Sequence, residues 1–258
     1  MLHKTAFLII SCDAYSGLWP VHIRCLAEQW PDCPFPKYIL TNHLDSGTAD
    51  VQTLQTGDDR GWSANLKQAL EILSKNFDYV LVTFDDLFLV RRVDNRLLDE
   101  VLGSFFSMDG QFLQLIRWHN KPQWINQRLG LIKPGSLYRP NCVYALWQID
   151  ALDQLLLPEE TAWEFERKGS ARSDTYDGFY TVLQSVFHYR NTVIRGKIVR
   201  KDARHFGLAE TGPLQIMTLG NLIRFRFRYW SFRTFLFLIP RKLQVTMVRT
   251  KSKLLNNK

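Results

Sequence analysis

From Tyr79 to Phe84 the chain reads YVLVTF, apolar or β-branched along its whole length rather than at alternate positions. A strand with one face in water alternates. A strand that does not alternate is covered on both faces, which is the setting of a mainly parallel sheet with helices above and below. Two adjacent acids, Asp85 and Asp86, follow at once, and the chain then turns apolar again in LFLV. Neighbouring carboxylates in an apolar setting repel each other and lose hydration. A metal ion, a set of backbone N–H donors or a basic side chain must stabilise them.

The flanking sequence repeats the strand–helix alternation. KTAFLIIS and PKYILTNH predict strands, with a helix over GLWPVHIRCLAEQW between them that carries Pro20 in its first turn. DSGTADVQTLQTGDDRG reads as a polar loop with room for one short strand. SANLKQALEILSKN predicts a helix capped by Ser63, with Leu66, Ala69, Leu70 and Leu73 on one face. A helix capped by Asp94, a strand over QFLQLIRW and two extended pieces in SLYRPNCVYALWQ follow. DALDQLLLPEETAWEFERKG is helical on both sides of Pro158, and TVIRGKIV is a last strand or hairpin. The pattern predicts an α/β domain, and in such sheets ligands bind at the carboxyl ends of the strands, where Asp85 and Asp86 stand.

At 258 residues, with 46% hydrophobic and 22% charged, the chain can bury a substantial core, which excludes wholesale disorder. Cys12, Cys25, Cys33 and Cys142 form no C-x-x-C pair and no zinc spacing, so reduced, packed thiols are expected. The apolar start is too short for a signal peptide and no run reaches the eighteen or so residues of a membrane span, which predicts a cytosolic protein. The net charge of +8 is unevenly placed. Residues 211–258 hold ten Lys or Arg and no acid, whereas the first 210 residues balance at −2. The division expected is a catalytic domain over 1–212 and a basic segment over 213–258, with an anionic partner for the latter.

GWSANLKQALEILSKNFDYVLVTFDD resembles the heart of family-2-type glycosyltransferases of the GT-A fold, where a Gly-rich turn, a helix bearing an Asn and a strand ending in D-x-D bind a nucleotide-sugar. Asn65 and Asp86 fall at the helix Asn and the final Asp; Phe84 replaces the first acid, so the motif is x-D-D. The SCD-x-Y-S-x-L-W element (Ser11 to Trp19), the WPDCP turn (Trp30 to Pro34) and the segment from Ser136 to Ser173 are similar to predicted glycosyltransferases of bacterial capsule and lipopolysaccharide clusters, over residues 7 to 200. The resemblance implies a GT-A-like, Rossmann-like sheet and an enzyme moving a sugar from a nucleotide donor to a surface polysaccharide acceptor.

The resemblance assigns Ser11, Asp13, Tyr15, Asn65, Asp85 and Asp86 to the donor, with Asp58 or Asp59 reaching the base. It leaves open whether x-D-D holds Mn²⁺ or Mg²⁺ through Asp85 and Asp86, with His205 as a further ligand. Transfer with inversion needs a carboxylate base, and PEETAWEFERKG offers Glu164 first and Glu166 next. Glu159 and Glu160 read as solvated first-turn acids. Arg139, Arg172 and Lys197 are candidates to offset the leaving diphosphate, and Trp163 to stack on an acceptor sugar. In the tail, Leu222, Phe225, Tyr229, Phe232 and Leu236 share a helical stripe among arginines. This is the pattern of a segment lying on an anionic membrane, here the cytoplasmic face of the inner membrane, beside a lipid-linked acceptor. The rival readings are a nucleic-acid or membrane binding protein acting through this tail, and a metal-dependent phosphoesterase. The body has neither the charge nor a motif for nucleic acid, and none is expected as partner.

Overall fold

The computed structural model describes residues 4–117, 122–194, 196–210, 213–218, 220, 221 and 223. In chain order, β1 (Thr5–Ile10) leads through a 3₁₀ turn (Asp13–Leu18) into α1 (Trp19–Gln29), then β2 (Lys37–Thr41), β3 (Gln52–Gln55), α2 (Trp62–Leu73) and β4 (Tyr79–Phe84). β5 (Leu87–Leu89), α3 (Asn95–Phe106), β6 (Phe112–Gln114), β7 (Gln123–Trp124), β8 (Leu129–Leu131) and β9 (Ala145–Gln148) follow. The chain continues with α4 (Ile149–Leu155), α5 (Ala162–Arg172), β10 (Phe179–Val182), β11 (Tyr189–Asn191), β12 (Val193–Ile194), β13 (Lys197–Ile198), α6 (Arg200–Phe206) and β14 (Gln215–Ile216).

Nine strands form one sheet in the order β3-β2-β1-β4-β9-β6-β10-β8-β7. The first four are parallel; β9 runs against β4 and β6, and β8 against β10. All six residues of β1 are buried, as are the first five of β4, because helices cover both faces. Phe7, Ile9 and Leu81 point toward α1 and α3, whereas Ala6, Leu8, Val80 and Val82 point toward α2, α4 and α5. Neighbouring residues thus enter opposite cores, as the period of two requires. β12, β13 and β14 form a small sheet that packs with α6 on α1 and Phe88.

The expected helix over SANLKQALEILSKN starts one residue earlier, and its cap differs. Gly61 is the N-cap, at φ +92°, and Ser63 lies buried inside the first turn without capping. Asp94 does cap α3, accepting from the backbone of Arg96 and Leu97. SLYRPNCVYALWQ supplies one strand, β9, not two extended pieces. Glu160 is a correction of another kind. It is not a solvated acid but 6% exposed, and it meets the Arg172 guanidinium at 2.8 and 2.5 Å. All four cysteines are free thiols. No helix among the described residues is long and apolar enough to cross a membrane. Most of the 213–258 segment, including the stripe from Leu222 to Leu236, lies outside the described residues.

Candidate functional site

Ile10 pairs with both Leu40 and Phe84, so β1, β2 and β4 end at one edge of the sheet. Their exit loops bring together Ser11 to Tyr15, Asn42 to Leu44, and Asp85 with Asp86. Asp13 ties two of these loops. Its oxygens accept from the backbone N–H of Asn42 and His43 at 2.9 Å and of Leu44 at 3.2 Å. Burial alone would raise this acid, but the donors outweigh it and hold the carboxyl below its ordinary value. With both oxygens committed, Asp13 shapes the pocket instead of offering a free acceptor to a base or ribose, which corrects the expected role.

The two acids of the doublet are held differently. Asp85 is 7% exposed. Ser11 Oγ donates to its Oδ2, and Trp19 Nε1 donates to Ser11 Oγ at 2.6 Å. Burial, then the charge of Asp86, pushes its carboxyl well above the usual carboxylate range. Asp86 is half-buried, and its carboxylate has no side-chain partner among the described residues; burial raises it to about 7. The Tyr15 phenol is raised by burial first and then by the charges of Asp85, Cys12 and Asp86.

The turn before α2 closes the same edge. Asp59 accepts from Gly61 N at 2.9 Å and Asn65 Nδ2 at 2.8 Å, while Asn65 Oδ1 accepts from Arg60 N at 3.1 Å. Asn65 is buried and fixes the turn from within. Asp58 is exposed and faces His43 Nε2 at 3.3 Å, bridging this turn to the loop after β2.

On the other flank, Trp62 lies between Phe84 (centroids 6.3 Å) and Phe165 (5.6 Å), which sets α5 next to the end of β4. Glu164 and Glu166 flank Phe165. Glu164 accepts from Thr161 N and Thr161 Oγ1 in a capping box and meets Lys168 Nζ at 3.1 Å. The Thr161 N–H, Lys168 and the Thr161 hydroxyl hold it down at about 2. A carboxylate so committed and so acidic is a poor base, which corrects the preference for Glu164. Glu166 is half-buried near Tyr138 and Cys142, and burial raises it to about 7. Trp163, three residues before it on the helix, is 79% exposed.

Two of the expected phosphate-binding cations are engaged elsewhere. Arg139 is 1% exposed, donates to the carbonyls of Ile132 (3.1 Å), Ser173 and Tyr176 (2.8 Å), and stacks over Phe179. Arg172 is taken by Glu160 and the Leu155 carbonyl. Both are structural clamps. Lys197 is half-buried in the β12–β13 hairpin, whose Gly196 lies 3.8 Å from the Tyr15 hydroxyl when a Cβ is built on it. His205 is not gathered to the doublet. It is exposed on α6 and lines a groove of about 380 Å³ with Arg24, Glu28 and Leu89. No cluster of three or more His, Cys, Asp or Glu that could hold a metal occurs among the described residues. A larger groove, of about 670 Å³, lies beside Arg200, Arg204 and Leu208, and neither groove is lined by the doublet.

No family model and no curated protein matches the chain. Solved structures do. A mannosyltransferase from Pyrobaculum calidifontis, PcManGT, in complex with GDP-Man and Mn²⁺, superposes with a TM-score of 0.52 at 12% identity, over 76% of this chain and 59% of its own. The fold is GT-A-like. TarS of S. aureus covers 72% of this chain and 36% of its own at 11% identity and a TM-score of 0.48, and LgtC covers 83% and 85% at 10% and 0.42. This chain therefore spans little more than a third of TarS and under two thirds of the mannosyltransferase. Identities this low establish the fold alone.

His22, Thr192 and Tyr144, which no sequence motif marks, are buried against the backbone carbonyls of Asp85, Asp86 and Leu87. For His22 a signal existed: it is the one imidazole on the apolar face of α1, beside Trp19, Cys25 and Leu26. Tyr144 and Thr192 carry no local signal, because distant strands bring them there.

Proposed function

We propose that this chain is a glycosyltransferase that moves a sugar from a nucleotide-sugar donor to a glycan acceptor. The observation that carries this reading is the convergence of Ser11, Tyr15, Asp59 and Asp86 at the carboxyl edge of the parallel strands in a GT-A-like fold. In open α/β sheets that edge is the ligand crevice.

The chemistry follows from what each side chain has left to offer. Tyr15 and the 58–61 turn line the nucleotide side, on a floor that Asp13 and Asn65 brace. Asp86 faces the diphosphate with its carboxylate, while Asp85 is retained inside by Ser11. One open carboxylate fits a divalent cation whose other ligands are donor phosphate oxygens, as hard cations at phosphate sites are commonly held. Asp86 would hold it, and bound there it would supply charge neutralisation to the diphosphate. Lys197, half-buried in the β12–β13 hairpin, completes the positive side. Glu166 accepts the proton of the acceptor hydroxyl as that oxygen bonds to the anomeric carbon and the bond to the nucleoside diphosphate breaks, with inversion. Exposed Trp163 offers a flat face for an acceptor ring.

The acceptor in this reading is a lipid-linked bacterial surface polysaccharide of the lipopolysaccharide O-antigen or capsule type, met at the cytoplasmic face of the inner membrane. The basic 211–258 segment and the basic arc of α6 support that placement. Thermal shift against UDP, GDP, CMP and dTDP, each with Mn²⁺ and with EDTA, tests the donor side. A nucleotide at a hundred times its dissociation constant stabilises by about 2.7 kcal/mol. We expect one nucleotide to raise the midpoint with Mn²⁺ and to lose that effect with EDTA or in Asp86→Asn. No response to any of the four would sink the reading.

A further inference from the structure

The carbonyl oxygens of Asp85, Asp86 and the following Leu87 are held by three residues from distant parts of the chain. His22 Nδ1 of α1 lies 3.1 Å from Asp85 O. Thr192, between β11 and β12, donates to Asp86 O through both its N–H and its hydroxyl, each at 2.9 Å. Tyr144 Oη, from the turn entering β9, donates to Leu87 O at 2.7 Å. All three donors are buried: His22 is 2% exposed, Thr192 and Tyr144 not at all.

Two details show that this convergence is more than packing. A carbonyl only accepts, so His22 carries its proton on Nδ1; burial keeps the imidazole neutral by pushing it down to about 4. Tyr144 sits at φ +44°, a left-handed conformation that a bulky residue rarely adopts and that its surroundings must enforce. Its ring is clamped against Phe187 at 4.8 Å, which aims the hydroxyl at the turn. Backbone strain of this kind is retained where a site needs a fixed geometry.

We propose that His22, Thr192 and Tyr144 are positioning residues that fix the Asp85–Asp86–Leu87 backbone, so that Asp86 alone presents its carboxylate to the ligand while Asp85 stays turned inward on Ser11 and Trp19. They touch no substrate and act through the backbone of Asp86. This assignment rests on the donor-site reading, and it adds that the turn is set before ligand arrives. Such outer contacts typically change metal or ligand affinity by about 10- to 100-fold when removed.

The test uses the full chain and five variants: Thr192→Val, Thr192→Ser, Tyr144→Phe, His22→Leu and His22→Asn, the last placing an amide nitrogen where Nδ1 stood. Two readouts are taken, hydrogen exchange over residues 85–91 with residues 37–41 as internal reference, and binding of Mn²⁺ with UDP, GDP, CMP or dTDP. Thr192→Val and Tyr144→Phe should raise exchange over 85–91 and leave 37–41 unchanged, and should weaken nucleotide binding about tenfold. Thr192→Ser and His22→Asn should recover both, where His22→Leu does not. Unchanged local exchange in Thr192→Val and Tyr144→Phe would overturn the assignment, as would faster exchange with undiminished binding. A parent chain that binds none of the four nucleotides removes the donor reading instead, and exchange then decides by itself whether the three donors fix the turn.

Discussion

Glu164 and Glu166 stand two positions apart on α5 and are separated by about five orders of magnitude in acidity, at about 2 and about 7. The helix accounts for the difference. Glu164 faces the N-terminal N–H groups and Lys168, while Glu166 turns toward Tyr138 and Cys142 and loses water. A base must be unprotonated and still worth protonating near the working pH, which selects Glu166. We expect Glu166→Gln to lower transfer by about 10²- to 10⁴-fold, with Glu164→Gln close to the parent rate. The parent rate should climb with pH through about 7, and Glu166→Gln should keep only the shallower climb that Asp86, also raised to about 7, contributes; a full climb in Glu166→Gln with a large loss in Glu164→Gln would return the role to Glu164. Stability runs the other way. The folded state binds the Glu166 proton more tightly than the unfolded chain does. The contribution is therefore full below pH 4–5 and lost as pH rises through about 7. In thermal melts, Glu166→Gln should be less destabilised relative to the parent at pH 8 than at pH 5, so the residue proposed as base would weaken the fold at the pH where it would act.

At the scale of elements, the same helix is secured by charges that sequence reading had placed elsewhere. The Glu160–Arg172 pair joins the entry of α5 to its last residue and to the end of α4, through the Leu155 carbonyl. Removing Arg172 strands the buried Glu160 carboxylate, which costs about 3–5 kcal/mol, whereas removing Glu160 leaves Arg172 partly exposed and still bonded to the Leu155 carbonyl, which costs less. Arg172→Ala should lower the melting midpoint by roughly 6–20 °C at about 2–4 °C per kcal/mol for a chain of this size, and Glu160→Ala by less. A drop no larger than that from a surface substitution would mean the pair is not formed. The cap of α3 gives a smaller case, because Asp94→Ala removes two backbone bonds and should cost about 1 kcal/mol. These elements also show what sequence can carry. Strands β1, β2 and β4, and helices α1 to α5, follow from local period and apolar runs. Strands β5, β10 and β11, three or four residues long, had no period to read; they exist because partners from far along the chain complete them. Arg139 and Arg172 were misread for the same reason. A basic residue looks alike in sequence whether it faces phosphate or three carbonyls, and only the packing decides. The strand-end position of Asp85 and Asp86 was legible, because the apolar run of β4 stops immediately before them.

The whole molecule separates charge in space as it does in sequence. The body to residue 210 is slightly acidic, yet α6 turns one basic arc outward: Arg200, Lys201, Arg204 and His205 are all exposed. Its one acid, Asp202, is buried and bound to Arg190 at 3.2 Å, while Glu210 and Glu28 line the grooves that flank the arc. This arc directly precedes the segment of ten Lys or Arg without an acid. It also belongs to the unit whose hairpin abuts Tyr15, so a surface that drew α6 toward it would draw the site mouth with it. Each basic side chain near an anionic leaflet contributes about 1 kcal/mol, an attraction that falls off within a Debye length and fades with salt. The full chain should therefore float with phosphatidylserine- or cardiolipin-containing vesicles at low salt, stay behind with phosphatidylcholine alone, and release as salt rises. Reversing Arg200, Lys201 and Arg204 to Glu should weaken that binding by tenfold or more while leaving the nucleotide-induced thermal shift intact. Unaltered flotation of the triple variant would assign the attraction to the tail alone. Failure of the parent to float would remove the membrane from the reading and leave a transferase that meets its acceptor in solution. The two properties separate because the basic arc and the strand-end acids share no side chain.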